Sequence, residues 1–187
     1  MYLFTYAYDD DDTNELYSEY HLGRQAFRIC KKGTKYCAWH REMPDFKQWR
    51  SSCVTYDHFR DSYKLYIDGV QVESGTWAGD NAPEPIRPGG VFIIGQDQDK
   101  LRGEYNPRQS WSGSLTQMNL WDFSIEKWDI ENIAECRSDV FGNVVKVRQY
   151  VAHFLPVKYM NSSVGGINVD IWKCYQEAHA GLFSVRC

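Results

Sequence analysis

The chain has 187 residues, enough for one domain that buries its own core. Hydrophobic residues at 43% and aromatics at 16% exclude a disordered chain, and a net charge of −4 gives no nucleic-acid surface. No run approaches the roughly eighteen apolar residues that a membrane helix needs. Seven Trp and thirteen Tyr, in short runs punctuated by Gly and Asn/Asp, favour an all-β sandwich.

In chain order, Tyr2 to Tyr8 alternates aromatic and small residues, as a strand does. Asp9 to Asp12 is a four-acid run, read as a loop held open by its own repulsion. Leu16–Tyr20 and Ala26–Cys30 are predicted strands joined by a turn at Gly23. Cys30 and Cys37 bracket Gly33, a spacing at which a disulfide closes a hairpin. Cys30, Cys37 and His40 also offer three zinc ligands, but no fourth lies near, and the disulfide is the preferred reading. Lys31, Lys32 and Lys35 fit a solvated hairpin tip better than a phosphate patch. Residues 63–67 and 70–72 flank Asp68-Gly69, a favoured two-residue hairpin turn. Residues 78–90, with Pro83, Pro85, Pro88 and Gly89-Gly90, form a surface loop. Val91-Phe92-Ile93-Ile94 reads as a buried strand, and Ser112 to Phe123 as its return strand. Ser124 is expected to cap a helix over Ile125–Glu135, with Ile125, Trp128, Ile130 and Ile133 as its apolar stripe. Beyond Cys30 and Cys37, the pairing of Cys53, Cys136, Cys174 and Cys187 is open from sequence.

The segment that carries chemistry is Gly95-Gln96-Asp97-Gln98-Asp99, followed by Asn106 and Gln109. It supplies carboxylates and amides, hard oxygen donors of the kind that Ca²⁺ gathers six to eight at a time. Asp97 and Asp99 are two residues apart, so in an extended chain both point the same way and can share an ion. A rigid strand thus leads into an oxygen-rich loop.

The stretch from Gly89 to Ile133 resembles the second half of a pentraxin domain, the family of C-reactive protein and serum amyloid P. The landmarks stand in order: Gly95 to Asp99, Gly103, Asn106, Gln109-Ser110, Gly113, then Asn119-Leu120-Trp121-Asp122. Phe4-Thr5-Tyr6-Ala7 resembles the family's Phe-Ser-Tyr-Ala segment. The block around Cys53 and Thr55 resembles its signature, with Tyr56, Ser51 and His58 where Trp, His and Ser are usual. Gly142-Asn143-Val144 resembles the closing strand, and the likeness fades after Val147.

The resemblance implies a pentraxin-type, concanavalin A-like jelly-roll sandwich with one short helix, lacking its first strands. It implies a pentraxin-like domain over 1–147, incomplete at its N-terminus, and a divergent segment of unassigned structure over 148–187. It implies Ca²⁺ as cofactor, with Asn14, Asp97, the carbonyl of Gln98 and Asp99 holding a first ion. Asp97, Asp99, Asn106 and Gln109 would hold a second, weakened by the neutral Asn106. Thr13 stands where the family often has Asp, and Asp12 would substitute for it where the loop carries one extra residue. The partner of Cys53 would lie on a strand ahead of Met1. The phosphocholine pocket does not carry over, since its aligned positions fall near Glu19 and Gly33.

Function is therefore expected to be calcium-dependent, lectin-like recognition of an anionic or carbohydrate ligand, with innate immunity as its setting and a homo-oligomer as a further partner. The alternative is a calcium-independent interaction domain of a larger extracellular or receptor protein. Six cysteines and the Asn161-Ser162-Ser163 glycosylation sequon read as secreted and extracellular. Met1 to Tyr6 is no signal peptide, so the chain is expected to be a fragment of a longer secreted protein. An enzyme is not expected. No strand alternates Glu and Asp as a sandwich glycosidase needs, no catalytic motif occurs, and His21, His40, His58, His153 and His179 are scattered.

Overall fold

The computed structural model describes residues 1–8, 14–29, 39–42, 49–77, 85–111, 114–137, 140–146, 152–153, 159–164, 167–172 and 184–186. Its strands in chain order are β1 (Tyr2–Ala7), β2 (Leu16–His21), β3 (Arg24–Ile29), β4 (Trp39–Glu42), β5 (Trp49–Asp57), β6 (Ser62–Ile67), β7 (Val70–Thr76) and β8 (Val91–Ile94). After them come β9 (Ser114–Thr116), β10 (Asn119–Leu120), helix α1 (Lys127–Ala134), β11 (Val145–Lys146), β12 (Ala152–His153), β13 (Tyr159–Val164), β14 (Ile167–Trp172) and β15 (Ser184–Arg186). The chain divides into two compact units. The first takes Met1–Asp45, Pro83–Gly113 and His153–Gly181, and the second Phe46–Ala82, Ser114–Ala152 and Leu182–Cys187.

The first unit is built on a seven-stranded sheet of order β13-β14-β8-β1-β2-β3-β4. The unbroken apolar run of β8 places it near the middle, with Val91, Phe92, Ile93 and Ile94 all buried. β1 flanks it antiparallel, with Thr5 opposite Ile93, and β14 flanks it parallel, with Asp170 opposite Ile93. β2 and β3 join through Leu22 and Gly23, both at positive φ, in register from Leu16–Ile29 to His21–Arg24.

A six-stranded sheet of order β12-β9-β15-β5-β6-β7 forms the second unit's main element. The Asp68-Gly69 turn is as the sequence expects, with φ of 51° and 80°. Gly69 is needed twice over: a Cβ there would also lie 3.2 Å from the Ala134 Cβ, because the turn rests on α1. Ile125, Ile130 and Ile133 pack with Tyr66, Cys53 and Trp121, each buried Ile contributing roughly 2 kcal/mol.

The structure departs from four expectations. The helix starts at Lys127, and Ser124 does not cap it; its hydroxyl instead donates to the Tyr56 carbonyl at 3.1 Å. Trp128 is 70% exposed, because two residues from Ile130 is about 200° around a helix and places it on the opposite face. The return strand over 112–123 is broken into β9 and β10, with Gln117 at φ 51° between them. Val145–Lys146 pairs with Asn119–Leu120, so the closing strand begins just after the Gly142-Asn143-Val144 segment.

Candidate metal centre

β8 hands over to the site at Gly95, whose φ of 83° turns the chain out of the sheet. The Gly95 N–H donates to Leu3 O and the Trp111 N–H to Gly95 O, both at 2.8 Å, while the Tyr2 N–H donates to Gln109 O at 2.9 Å. Both ends of the 95–111 loop are thereby tied to the start of β1. Arg102 and Glu104, at φ 60° and 55°, fold the loop back on itself, with the Gly103 N–H bonded to Lys100 O.

Asp97 is the centre of the arrangement and only 3% exposed. Asn14 Nδ2 donates to its Oδ1 at 2.7 Å, and Gln109 Nε2 donates to its Oδ2 at 2.8 Å. Asp99 stands beside it, close enough for the two carboxyls to hydrogen-bond. Burial, and then the Asp99 charge, push the Asp97 carboxyl up to about 7, against the pull of the Asn14 amide. Burial also raises the Tyr2 hydroxyl, with Asp97 as the next contributor. A buried carboxylate beside a second, half-buried one is unfavourable when both are ionised.

The two amides carry a second message. Asn14 Oδ1 and Gln109 Oε1 are buried and accept no hydrogen bond among the described residues. Buried acceptors are ordinarily satisfied, and here two of them flank two carboxylates. The terminal amide torsion is broad and nearly two-fold, so a half-turn exchanges N–H for oxygen in front of Asp97. The donor set is entirely oxygen, which suits Ca²⁺ and not a thiolate- or imidazole-seeking metal. Among the described residues there is no cluster of three His, Cys, Asp or Glu, so any ion here must draw on amides and carbonyls.

Four of the expected site residues, Asn14, Asp97, Asp99 and Gln109, are thus brought together. Gln98 adjoins them, with its side chain turned inward and 2% exposed. Asn106 is exposed; its Oδ1 accepts from the Arg108 N–H at 3.0 Å in a local turn. Asp12, Cys30 and Cys37 lie outside the described residues. Asn161 falls in β13, opposite Asp170 of β14.

Sequence reasoning missed Gln96. Its Oε1 accepts from Ser110 Oγ at 2.8 Å, and its Nε2 donates to Asn106 O at 3.1 Å, stapling the two arms of the loop. The signal was available: in an extended Gly-Gln-Asp-Gln-Asp, alternation sends the amides and the acids to opposite sides. It also missed the Glu15–Arg87 ion pair, which ties the residue after Asn14 to the segment ahead of β8.

A family model described as the Pentaxin family matches residues 1–153. The chain belongs to the pentraxin family. Human neuronal pentraxin-2 is 35% identical over 99 residues, which is 52% of this chain and 22% of that protein. A rat protein named for sushi, von Willebrand factor type A, EGF and pentraxin domains is 32% identical over 119 residues, 62% of this chain and 3% of that protein. The matched part therefore spans about a fifth of the neuronal pentraxin's length and far less of the rat protein's. Among solved structures, a native heptameric SAP-like pentraxin from Limulus polyphemus superposes with a TM-score of 0.61 at 22% identity, covering 79% of this chain and 69% of that one. The fold is accordingly the all-β pentraxin jelly roll. No helix among the described residues is long and apolar enough to cross a membrane.

Proposed function

We propose that this pentraxin domain is a calcium-dependent recognition module. The observation that carries the reading is the convergence of the Asn14 and Gln109 amides on Asp97 beside Asp99, with both amide oxygens buried and unsatisfied. Asn14, Asp97, Asp99 and the Gln98 carbonyl would hold a first ion, with Asp12 as a further donor. Asp97, Asp99, Asn106 and Gln109 would hold a second. The exposed Asn106, engaged in its own turn and uncharged, makes that second ion the weaker. A bound cation with open positions attracts a phosphate, carboxylate or sugar hydroxyl that the acidic loop alone would repel. The chemistry is coordination, and no enzymatic step is assigned. The module is read as residues 1–147 of an extracellular, glycosylated protein, with disulfide-bonded Cys30 and Cys37 and Asn161 as its glycan site. The heptameric neighbour favours self-assembly.

Calorimetry of wild type and Asp99→Ala with Ca²⁺ tests the reading. Heat from wild type that Asp99→Ala lacks supports it; equal heats, or none from wild type at millimolar Ca²⁺, sink it. A second reading, an interaction domain that needs no calcium, is favoured by the match to a small part of a long multi-domain protein. The same titration separates the two.

A further inference from the structure

Besides the main-chain ties at its ends, the loop is gripped by a buried hydroxyl. Thr5, in the middle of β1, is wholly buried, and its Oγ1 donates to the Gln96 carbonyl at 3.1 Å. The same oxygen accepts from Gln98 Nε2 at 3.3 Å. Gln98 spends its other N–H on Val91 O at 3.0 Å, where β8 begins, and its Oε1 accepts from the Arg102 N–H at 3.3 Å. Gln96 in turn reaches Ser110 and Asn106. The Thr5 hydroxyl therefore grips the main chain just before Asp97 and the side chain just after it. Through Gln96 and Gln98 it connects to both arms of the loop.

The centre of this network, Thr5 with Gln96 and Gln98, is buried and its named groups are used, the condition under which removing one member leaves others unsatisfied. Deleting the hydroxyl strips the Gln96 carbonyl of its side-chain donor and leaves one Gln98 N–H with no acceptor. Asp97 sits between those two residues, so its carboxylate is the group whose placement depends most directly on them. We propose that Thr5 is the positioning residue of the cation loop, setting the affinity for a divalent ion that it never touches. The proposal rests on the calcium reading above.

Ca²⁺ titrations of wild type, Thr5→Val and Thr5→Ser, with melts in EDTA and in Ca²⁺, test it. Val keeps the shape and removes the hydroxyl, whereas Ser keeps the hydroxyl and removes the methyl. Thr5→Val is expected to bind Ca²⁺ about tenfold more weakly and to show a smaller calcium-induced rise in melting temperature. Thr5→Ser is expected to stay within about twofold of wild type. A merely structural role would lower the melting temperature of Thr5→Val equally in EDTA and Ca²⁺, leaving the calcium-induced rise intact, and that result overturns the proposal. So does equal weakening by Val and Ser, which would trace the effect to packing. Should Thr5→Val not fold, Thr5→Cys replaces the hydroxyl by a weak donor and acceptor, with Thr5→Ser as its like-shaped control. Weakened binding there supports the proposal, and wild-type binding refutes it. No heat from wild type itself fails at the earlier step: it removes the calcium reading, and this proposal with it.

Discussion

Around Asp97 the buried atoms are oxygens and nitrogens; around Ile130 they are carbons. The Asp97 loop is held by directed hydrogen bonds from Thr5, Gln96 and Gln98, and at its heart lies a carboxylate that burial and Asp99 make costly to ionise. The cluster of Ile125, Ile130, Ile133 and Tyr66 contains no side-chain charge to titrate near neutrality. One region is built of polar groups around a buried carboxyl, and the other of apolar volume. Within this one chain the two draw on separate physics, so each can be altered while the other serves as its control.

The largest effect expected is from emptying the apolar cluster. Ile130→Ala should cost about 2–5 kcal/mol, read as a fall in melting temperature of the same size in EDTA and in Ca²⁺. A fall that Ca²⁺ repairs would show the two regions to be coupled and the contrast to be wrong. Next comes calcium itself. At a hundredfold excess over its Kd an ion that binds only the folded state adds about 2.7 kcal/mol. For a chain of this size that is a rise of about 5–10 °C. Asp97→Asn should lose most of that rise, while Ile130→Ala keeps it.

An effect of comparable size, and the sharpest discriminator, is pH. The Asp97 carboxyl is pushed up to about 7 in the fold from an ordinary value near 3.8. A raised carboxyl binds its proton more tightly when folded, so its stabilising contribution is full below about pH 4 and is lost as pH climbs through about 7. Without Ca²⁺ the melting temperature should therefore decline between pH 5 and pH 8. Asp97→Asn should flatten that decline, and Ile130→Ala should leave its slope unchanged. The smallest effect belongs to Trp128. At 70% exposure it touches neither kind of interior, and Trp128→Ser should shift stability by no more than about 0.5 kcal/mol.

What the sequence revealed divides along similar lines. Features fixed by a few neighbouring residues were legible: the Asp68-Gly69 turn, the buried Val91–Ile94 strand, and the oxygen-rich loop after Gly95. The helix was legible in existence and wrong in its details. Ile125 and Trp128 fit a spacing of three, but Ile125 precedes the helix and Trp128 faces away from Ile130. Ser124 looked like a cap because nothing local shows that the Tyr56 carbonyl, 68 residues away, takes its hydroxyl. Gln96 and Gln98 read locally as members of an oxygen-rich loop, and only the alternation of the backbone shows that their side chains serve the interior. The pairing of β14 beside β8, across some 75 residues, has no signature in either strand alone.

The charge around the candidate centre sets what it can attract. Among the described donors only Asp97 and Asp99 are acids, while Asn14, Asn106 and Gln109 are neutral amides. With these two and the further donor Asp12 ionised the set would carry a charge of −3, which a single divalent ion would reduce to −1 and a second would reverse to +1. One ion would then leave the surface repelling a passing anion, and two would make it a trap. Occupancy of the weaker position, and hence the free Ca²⁺ concentration, would decide between those states, so the neutral amides would give this surface a threshold where an all-carboxylate set would remain negative.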